Sequence, residues 1–160
     1  MDKVQAVVAG GSSRQESVHL GLNALSDKCK LVAIHDGARP LISWQVIDRV
    51  VRAANTYGAA APAIPVKDTI KRAKDGVIQE TPDRDELFAV QTPQVFDADL
   101  IRTAETKAME EGASLTDDCS AVERLGFPVR LTQGSEENLK ITTPADLLWG
   151  EAIIAERMGR

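Results

Sequence analysis

Val4-Gln5-Ala6-Val7-Val8-Ala9, running into Gly10-Gly11-Ser12-Ser13, is the stretch that decides the fold. Its first six residues are largely apolar, the pattern of a strand buried on both faces. The glycine-serine run breaks it. Val18, Leu22 and Leu25 then recur at i, i+4 and i+7, one face of a helix over about Arg14 to Leu25. Leu31-Val32-Ala33-Ile34 follows as a short apolar strand ending at His35-Asp36-Gly37. Strand, glycine loop, helix and strand within 37 residues make a βαβ unit.

The same alternation continues outward. Ser43 is placed to cap a helix whose stripe is Val46, Ile47, Val50, Val51 and Ala54, with Gly58 as its stop. Ala59 to Ile64 reads as a strand of small residues ended by Pro65. The texture then changes. Thr69 to Ala73, the turn signal Asp75-Gly76 and Val77 to Thr81 read as a charged hairpin with too few apolar residues for a core. It is expected to be an arm, residues 67–82, that projects or pairs with a second subunit. Gln91-Thr92-Pro93-Gln94 reads as a loop, and Phe96 to Glu111 as a helix closed by Gly112. Thr116-Asp117-Asp118 can cap a short helix through Leu125, and Val129 to Leu131 and Leu139 to Ile141 read as strands. Thr143-Pro144-Ala145-Asp146 opens a last helix with a cap, a first-position proline and an acid in the first turn. Strands alternating with helices predict an α/β domain around a mostly parallel, doubly wound sheet.

Composition narrows the function. The 160 residues are 43% hydrophobic, 27% charged and 4% aromatic, with 19 Lys+Arg against 24 Asp+Glu and a net charge of −5. No global basic field exists for nucleic acid or an anionic membrane, and aromatic platforms for single strands are scarce. No apolar run approaches the ~20 residues that span a bilayer. Met1-Asp2-Lys3-Val4 lacks a leader pattern. Two separated cysteines and two histidines argue against zinc and for a reducing, cytoplasmic compartment.

Ligands of open parallel sheets bind at the carboxyl ends of strands. Asp36 stands at such an end, where a carboxylate suits Mg²⁺ whose remaining shell comes from phosphates. It equally suits a turn or helix cap. Arg39 can grip a phosphate or form a surface ion pair, and His35 reads as an internal hydrogen-bonding group. Gly10 to Arg14 offers free N–H groups at a helix start but fits neither standard phosphate-loop pattern. Ser17 is either a ligand contact or a tolerated polar residue. Lys67, Lys71, Arg72, Arg84 and Lys140 supply scattered positive charge, and Lys140 stands out between Leu139 and Ile141. No nucleophile–histidine arrangement is evident. The residues alone describe an α/β protein for an anionic small molecule, with Mg²⁺ as an option.

Read in order, several strings say more. They are Gly10-Gly11-Ser12-Ser13-Arg14-Gln15-Glu16-Ser17-Val18, His35-Asp36-Gly37-Ala38-Arg39-Pro40 and Pro65-Val66-Lys67-Asp68-Thr69-Ile70-Lys71. They continue with Asp83-Arg84, Gln91-Thr92-Pro93-Gln94, Thr116-Asp117-Asp118 and Asn138-Leu139-Lys140-Ile141-Thr142. Together they resemble the 2-C-methyl-D-erythritol 4-phosphate cytidylyltransferases. The resemblance implies a Rossmann-like nucleotidyltransferase sheet, a homodimer through the arm, and cytidylyl transfer from CTP to methylerythritol phosphate for isoprenoid synthesis. It implies that Gly11 and Ser17 contact CTP and that Asp36 holds Mg²⁺. Arg39, Thr69, Thr92 and Thr116 would then bind the second substrate, and Arg84 and Lys140 would be catalytic by placing its phosphate. The family's opening loop of the type A-A-G-x-G-x-R-M, and the P-K after it, have no counterpart here. The expectation is therefore one domain, 1–160, without its first strand–loop–helix portion. Two other outcomes stay open at this point: a catalytically incomplete fragment that folds or dimerises, and a nucleotidyltransferase for another alcohol phosphate.

Overall fold

A computed structural model describes residues 3–159, so Met1 and Asp2, where a leader was sought, and Arg160 lie outside the described residues. The elements are α1 (Arg14–Asn23), β1 (Leu31–Ile34), α2 (Trp44–Tyr57), β2 (Ala59–Pro65), β3 (Arg72–Lys74), β4 (Val77–Glu80), a 3-10 turn (Arg84–Glu86), β5 (Phe88–Val90), β6 (Gln94–Asp97), α3 (Ala98–Glu110), α4 (Asp118–Arg124), β7 (Arg130–Gln133) and α5 (Pro144–Arg157). Local chemistry explains the boundaries. The Ser13 hydroxyl accepts from the Glu16 N–H at the start of α1, and the Asp97 carboxylate caps α3. Reciprocal caps open α4 (Asp117 with Ser120) and α5 (Thr143 with Asp146). Gly58 ends α2 at φ 84°, and a Cβ there would also meet the Phe127 ring at 3.0 Å.

The main sheet runs β1–β6–β2–β5, with β7 beside β2. β2 pairs with β7 in parallel, Ala61 opposite Leu131, and β1 points the same way because both β1 and β2 are antiparallel to β6. These three strands form the parallel part of the sheet; β5 and β6 oppose them. Ala59, Ala60, Ala61 and Ala63 of β2 are buried, and their small side chains let helices lie close on both faces. On one face Val50 and Ala54 of α2 meet Ala60 and Val95. On the other, Leu22, Ile101, Ala104 and Val122 from α1, α3 and α4 meet Phe96, Ala59 and Ala61. The α/β class and the two-sided wrapping are thus as expected.

Four local expectations are corrected. Val4 to Ala9 is not a buried strand: it has no regular structure and is exposed, Val7 at 92%. A strand needs hydrogen-bonded neighbours, and none of the described strands pairs with this run. Gln94–Asp97 is a strand where the end of a loop and a helix start were expected, and Phe88–Val90, for which the sequence offered no reading, is another, the two split by the Gln91-Thr92-Pro93 segment. The third helix begins at Ala98 because Asp97 turns to cap it. Leu139 to Ile141 is a loop held by the Ile141 N–H on the Ala38 carbonyl at 2.8 Å. The hairpin forms as read: Arg72 to Lys74 pairs with Val77 to Glu80 around Asp75 (φ 51°) and Gly76 (φ 78°), and all its strand residues are exposed.

Candidate active site at the end of β1

Asp36 follows the last residue of β1 by two positions, at the mouth of a cavity of about 550 Å³ between α1 and β1. Leu22 and Val32 form part of its apolar floor; Arg14, Ser17, Asp36 and Lys140 supply polar groups. Three cations converge on the one carboxylate, Arg39 from three residues along the chain and Arg14 and Lys140 from distant segments. Lys140 Nζ stands 3.1 Å from Oδ2, Arg39 Nε 3.6 Å from Oδ2 and Arg14 Nε 3.5 Å from Oδ1. The Asp36 side chain is 14% exposed. Burial by itself would raise its pKa. The Lys140 hydrogen bond and charge, then the charges of Arg14 and Arg39, outweigh burial and hold the carboxyl below its ordinary range. Burial lowers the Arg39 pKa, and the nearby Asp36 opposes that shift.

The backbone behind Asp36 is fastened by polar side chains. Its N–H donates to Thr92 Oγ1 at 3.0 Å. His35 Nε2 lies 3.1 Å from the Arg39 carbonyl, which can only accept, so that nitrogen carries the proton. His35 Nδ1 then accepts from the Thr92 hydroxyl at 3.0 Å. His35 thus hydrogen-bonds within the protein as expected, although the residue itself is exposed at the cavity. The buried Asn138 amide donates to the Thr92 carbonyl (2.9 Å) and to Gln91 Oε1 (3.2 Å), while its own backbone carbonyl takes the Arg39 guanidinium at 2.7 Å. This places the Asn138–Ile141 loop so that Lys140 reaches Asp36. Lys140 therefore has its reason for lying between two apolar residues, though in a loop and not in a strand.

At the α1 end, the Gly11 N–H donates to Ser17 Oγ at 3.0 Å and Ser17 donates to the Ser13 carbonyl at 2.8 Å. Ser12 donates through its N–H and its hydroxyl to Glu16 Oε2, and these bonds lower the Glu16 pKa. A Cβ on Gly11 would fall within 2.6 Å of three Glu16 carbons, so this turn requires glycine. Arg14 forks onto Asp118 with bonds of 2.9 and 2.7 Å. Asp118 is 1% exposed, and its bond to Arg14 is the main reason the guanidinium is held charged more firmly than usual.

The expected site residues divide. Asp36, Arg39, Lys140, Ser17 and Gly11 are brought to the cavity or to its immediate frame. Thr92 is buried behind Asp36, its hydroxyl occupied by His35 and the Asp36 N–H. Thr116 is exposed just before the α4 cap. Thr69 and Arg84 lie exposed at the root of the arm, where Arg84 donates to the Lys67 carbonyl at 3.2 Å; neither lines the cavity. Sequence reading missed Arg14 and Asp118 as a pair and Gln91, Gln94 and Asn138 as buried connectors. Gln94 accepts from the N–H groups of Asp118 and Cys119, both at 3.0 Å. A faint signal existed in the Asp117-Asp118 doublet: one carboxylate caps α4, which leaves the second free for another partner.

A family model described as IspD, 2-C-methyl-D-erythritol 4-phosphate cytidylyltransferase, matches residues 1–156. A curated protein of that name from Desulforamulus reducens is 51% identical over 98% of this chain and 67% of its own length. One from Pelotomaculum thermopropionicum is 51% identical over 99% of this chain and 67% of its own. The chain thus spans about two thirds of the length of these relatives. The Thermus thermophilus crystal structure of that name superposes with a TM-score of 0.84 at 39% identity, over 92% of this chain and 72% of that one. The 4-diphosphocytidyl-2C-methyl-D-erythritol synthase structure from Anaerococcus prevotii gives 0.86 at 33% identity, over 92% and 66%. The sequence strings, the fold and these matches agree: the chain belongs to the 2-C-methyl-D-erythritol 4-phosphate cytidylyltransferase family, nucleotidyltransferases of isoprenoid biosynthesis.

Proposed function

We propose that the cluster around Asp36 is where this chain carries out cytidylyl transfer from CTP to 2-C-methyl-D-erythritol 4-phosphate. The convergence of Arg14, Arg39 and Lys140 on a single strand-end carboxylate beside an open cavity carries this reading. Arg14, Arg39 and Lys140 face Asp36, and with the Asp118 carboxylate that Arg14 forks onto also counted, one positive charge is left over; polyphosphates are the ligands that complete such a site. In the reaction an oxygen of the methylerythritol phosphate attacks the α-phosphorus of CTP. A new P–O–P link forms, the bond to the β-phosphate breaks, and pyrophosphate leaves. The attacking oxygen is already anionic, so no general base is required. The protein supplies position and charge. Lys140 and Arg39 turn from Asp36 toward the incoming phosphates, while Gly11 and Ser17 border the cytidine.

Among the described residues no group of three or more His, Cys, Asp or Glu side chains could hold a metal by itself. Mg²⁺ is commonly held by one or two carboxylates with phosphates completing its shell, and Asp36, kept ionised by its neighbours, fits that demand. Asp36 would hold the ion, which when bound neutralises phosphate charge.

The arm supports a homodimer. A lone two-stranded hairpin is marginally stable in water, yet β3 and β4 expose Val77 and Ile78. A second copy covering them would bring Thr69 and Arg84 toward the partner's site, matching their expected role with the methylerythritol phosphate. A cytoplasmic location agrees with two free cysteines and with the lack of any described helix long and apolar enough to cross a membrane.

The test is pyrophosphate release from CTP and methylerythritol phosphate by the wild type and Asp36→Asn. The amide keeps the shape and removes the charge, and the rate is expected to fall by about 10²–10³, as when one key electrostatic group is lost. An unchanged rate in a folded variant removes Asp36 from the site.

A further inference from the structure

Behind the Asp36 cluster lies an acid that the reaction does not use. Glu105 sits on the inward face of α3 with Ile101, Ala104 and Ala108, and is 1% exposed. Neither of its carboxylate oxygens has a hydrogen-bond partner. An ionised carboxylate in that state is strongly disfavoured. α3 packs against α4, α1, β1 and β6. From α4, Asp118 acts on Glu105 as a like charge; from α1, Arg14 acts as an opposite one. Cys119, also on α4, is kept a neutral thiol by burial. β1 brings no titratable side chain, and β6 brings only Asp97, exposed and occupied in capping α3. Glu105 is thus buried on the helix that packs against both α1 and α4, within reach of the charges of the two members of the fork that reaches Asp36.

We propose that Glu105 is a positioning residue acting through Asp118 and Arg14. With its proton on, Asp118 keeps Arg14 to itself and the fork braces the Asp36 side of the cavity. With its proton off, two buried carboxylates compete for one guanidinium and the brace loosens. The added negative charge also opposes phosphate ligands. Burial first, then the Asp118 charge, raises the Glu105 pKa to about 7, with Arg14 opposing, so the change falls within the working range of a cell.

The test is carbon-detected NMR of the side-chain carboxyls, with nitrogen-detected signals of the arginine side chains, from pH 5 to 9 on the whole chain. The Glu105 carboxyl and the Arg14 guanidinium should move with one shared midpoint near neutrality, and in Glu105→Gln the Arg14 step should vanish. A Glu105 midpoint in the ordinary carboxylate range overturns the proposal, and so does an Arg14 step that persists in Glu105→Gln. If that variant fails to fold, the wild-type titration alone decides: a shared midpoint supports the proposal and separate midpoints overturn it. A second arm measures CTP affinity at pH 6 and pH 8. Wild type should weaken on the order of tenfold more than Glu105→Gln, as a nearby ionisation shifting by about one unit implies; equal pH dependence in the two overturns it. The proposal takes only its ligand from the cytidylyltransferase reading. Absence of CTP binding at every pH would fail that reading and leave the NMR result to decide this one.

Discussion

The Asp36 cluster and the β3–β4 arm each contain a short ion pair of nearly equal length. Lys140 meets Asp36 at 3.1 Å, and Arg72 meets Glu80 at 3.0 Å. Their surroundings differ. The Asp36 side chain is 14% exposed and shares three cations, whereas the Arg72 and Glu80 side chains are 72% and 52% exposed and have water as an alternative partner. Distance alone therefore does not rank them. Screening by solvent makes the arm pair nearly worthless for stability. Partial burial and a shared network make the Asp36 pair consequential.

Several changes would break or sharpen that contrast. The largest stability effect is expected at Arg14, whose removal leaves the buried Asp118 carboxylate without its fork. Arg14→Met should cost about 2 kcal/mol, the range for a charged hydrogen bond, read as a lower urea midpoint at unchanged slope. Thr92→Val should cost about 1 kcal/mol, because the Asp36 N–H and His35 Nδ1 both lose a partner while the shape is kept. The pH dependence comes next. The Asp36 carboxyl titrates below its ordinary value of 3.8 in the folded chain. Its stabilising contribution is thus full above that value and is lost as pH falls through the lower folded one. Denaturation midpoints of wild type and Asp36→Asn should accordingly differ most at neutral pH and converge in strong acid. The smallest effect is expected at the arm: Arg72→Ala should change monomer stability by less than about 0.5 kcal/mol. Ile78→Glu, by contrast, should abolish the dimerisation proposed for the arm, read by sedimentation against the wild type, while leaving the fold intact.

The elements that capped themselves were legible in sequence. Ser13, Gly58, Asp75-Gly76 and Thr143-Pro144 each marked a boundary that the structure shows. Elements that depend on distant neighbours were not. Val4 to Ala9 and Ala59 to Ala63 carry the same apolar signal, yet only the second is flanked by β5, β6 and β7 and becomes a strand. β5 and β6 were missed for the converse reason: three or four residues carry almost no periodicity, and pairing with β2 and β1 makes them strands. At the site, Asp36, Lys140 and Ser17 were readable from their positions after strands or within the resembling strings. Arg14 with Asp118 was not, because 104 residues separate the partners and nothing local announces a long-range pair.

The central claim is that charge converging on Asp36 makes the phosphate site. Its most direct test compares kcat/KM for pyrophosphate release from CTP and methylerythritol phosphate in wild type, Lys140→Ala and Arg52→Ala. Arg52 is a useful control, since its 2.9 Å pair with Asp48 lies exposed on α2. Lys140→Ala should lose about 10²-fold or more, the usual loss when a group that stabilises developing charge is removed, and Arg52→Ala should match wild type. A Lys140→Ala enzyme as active as the Arg52→Ala control would contradict the account.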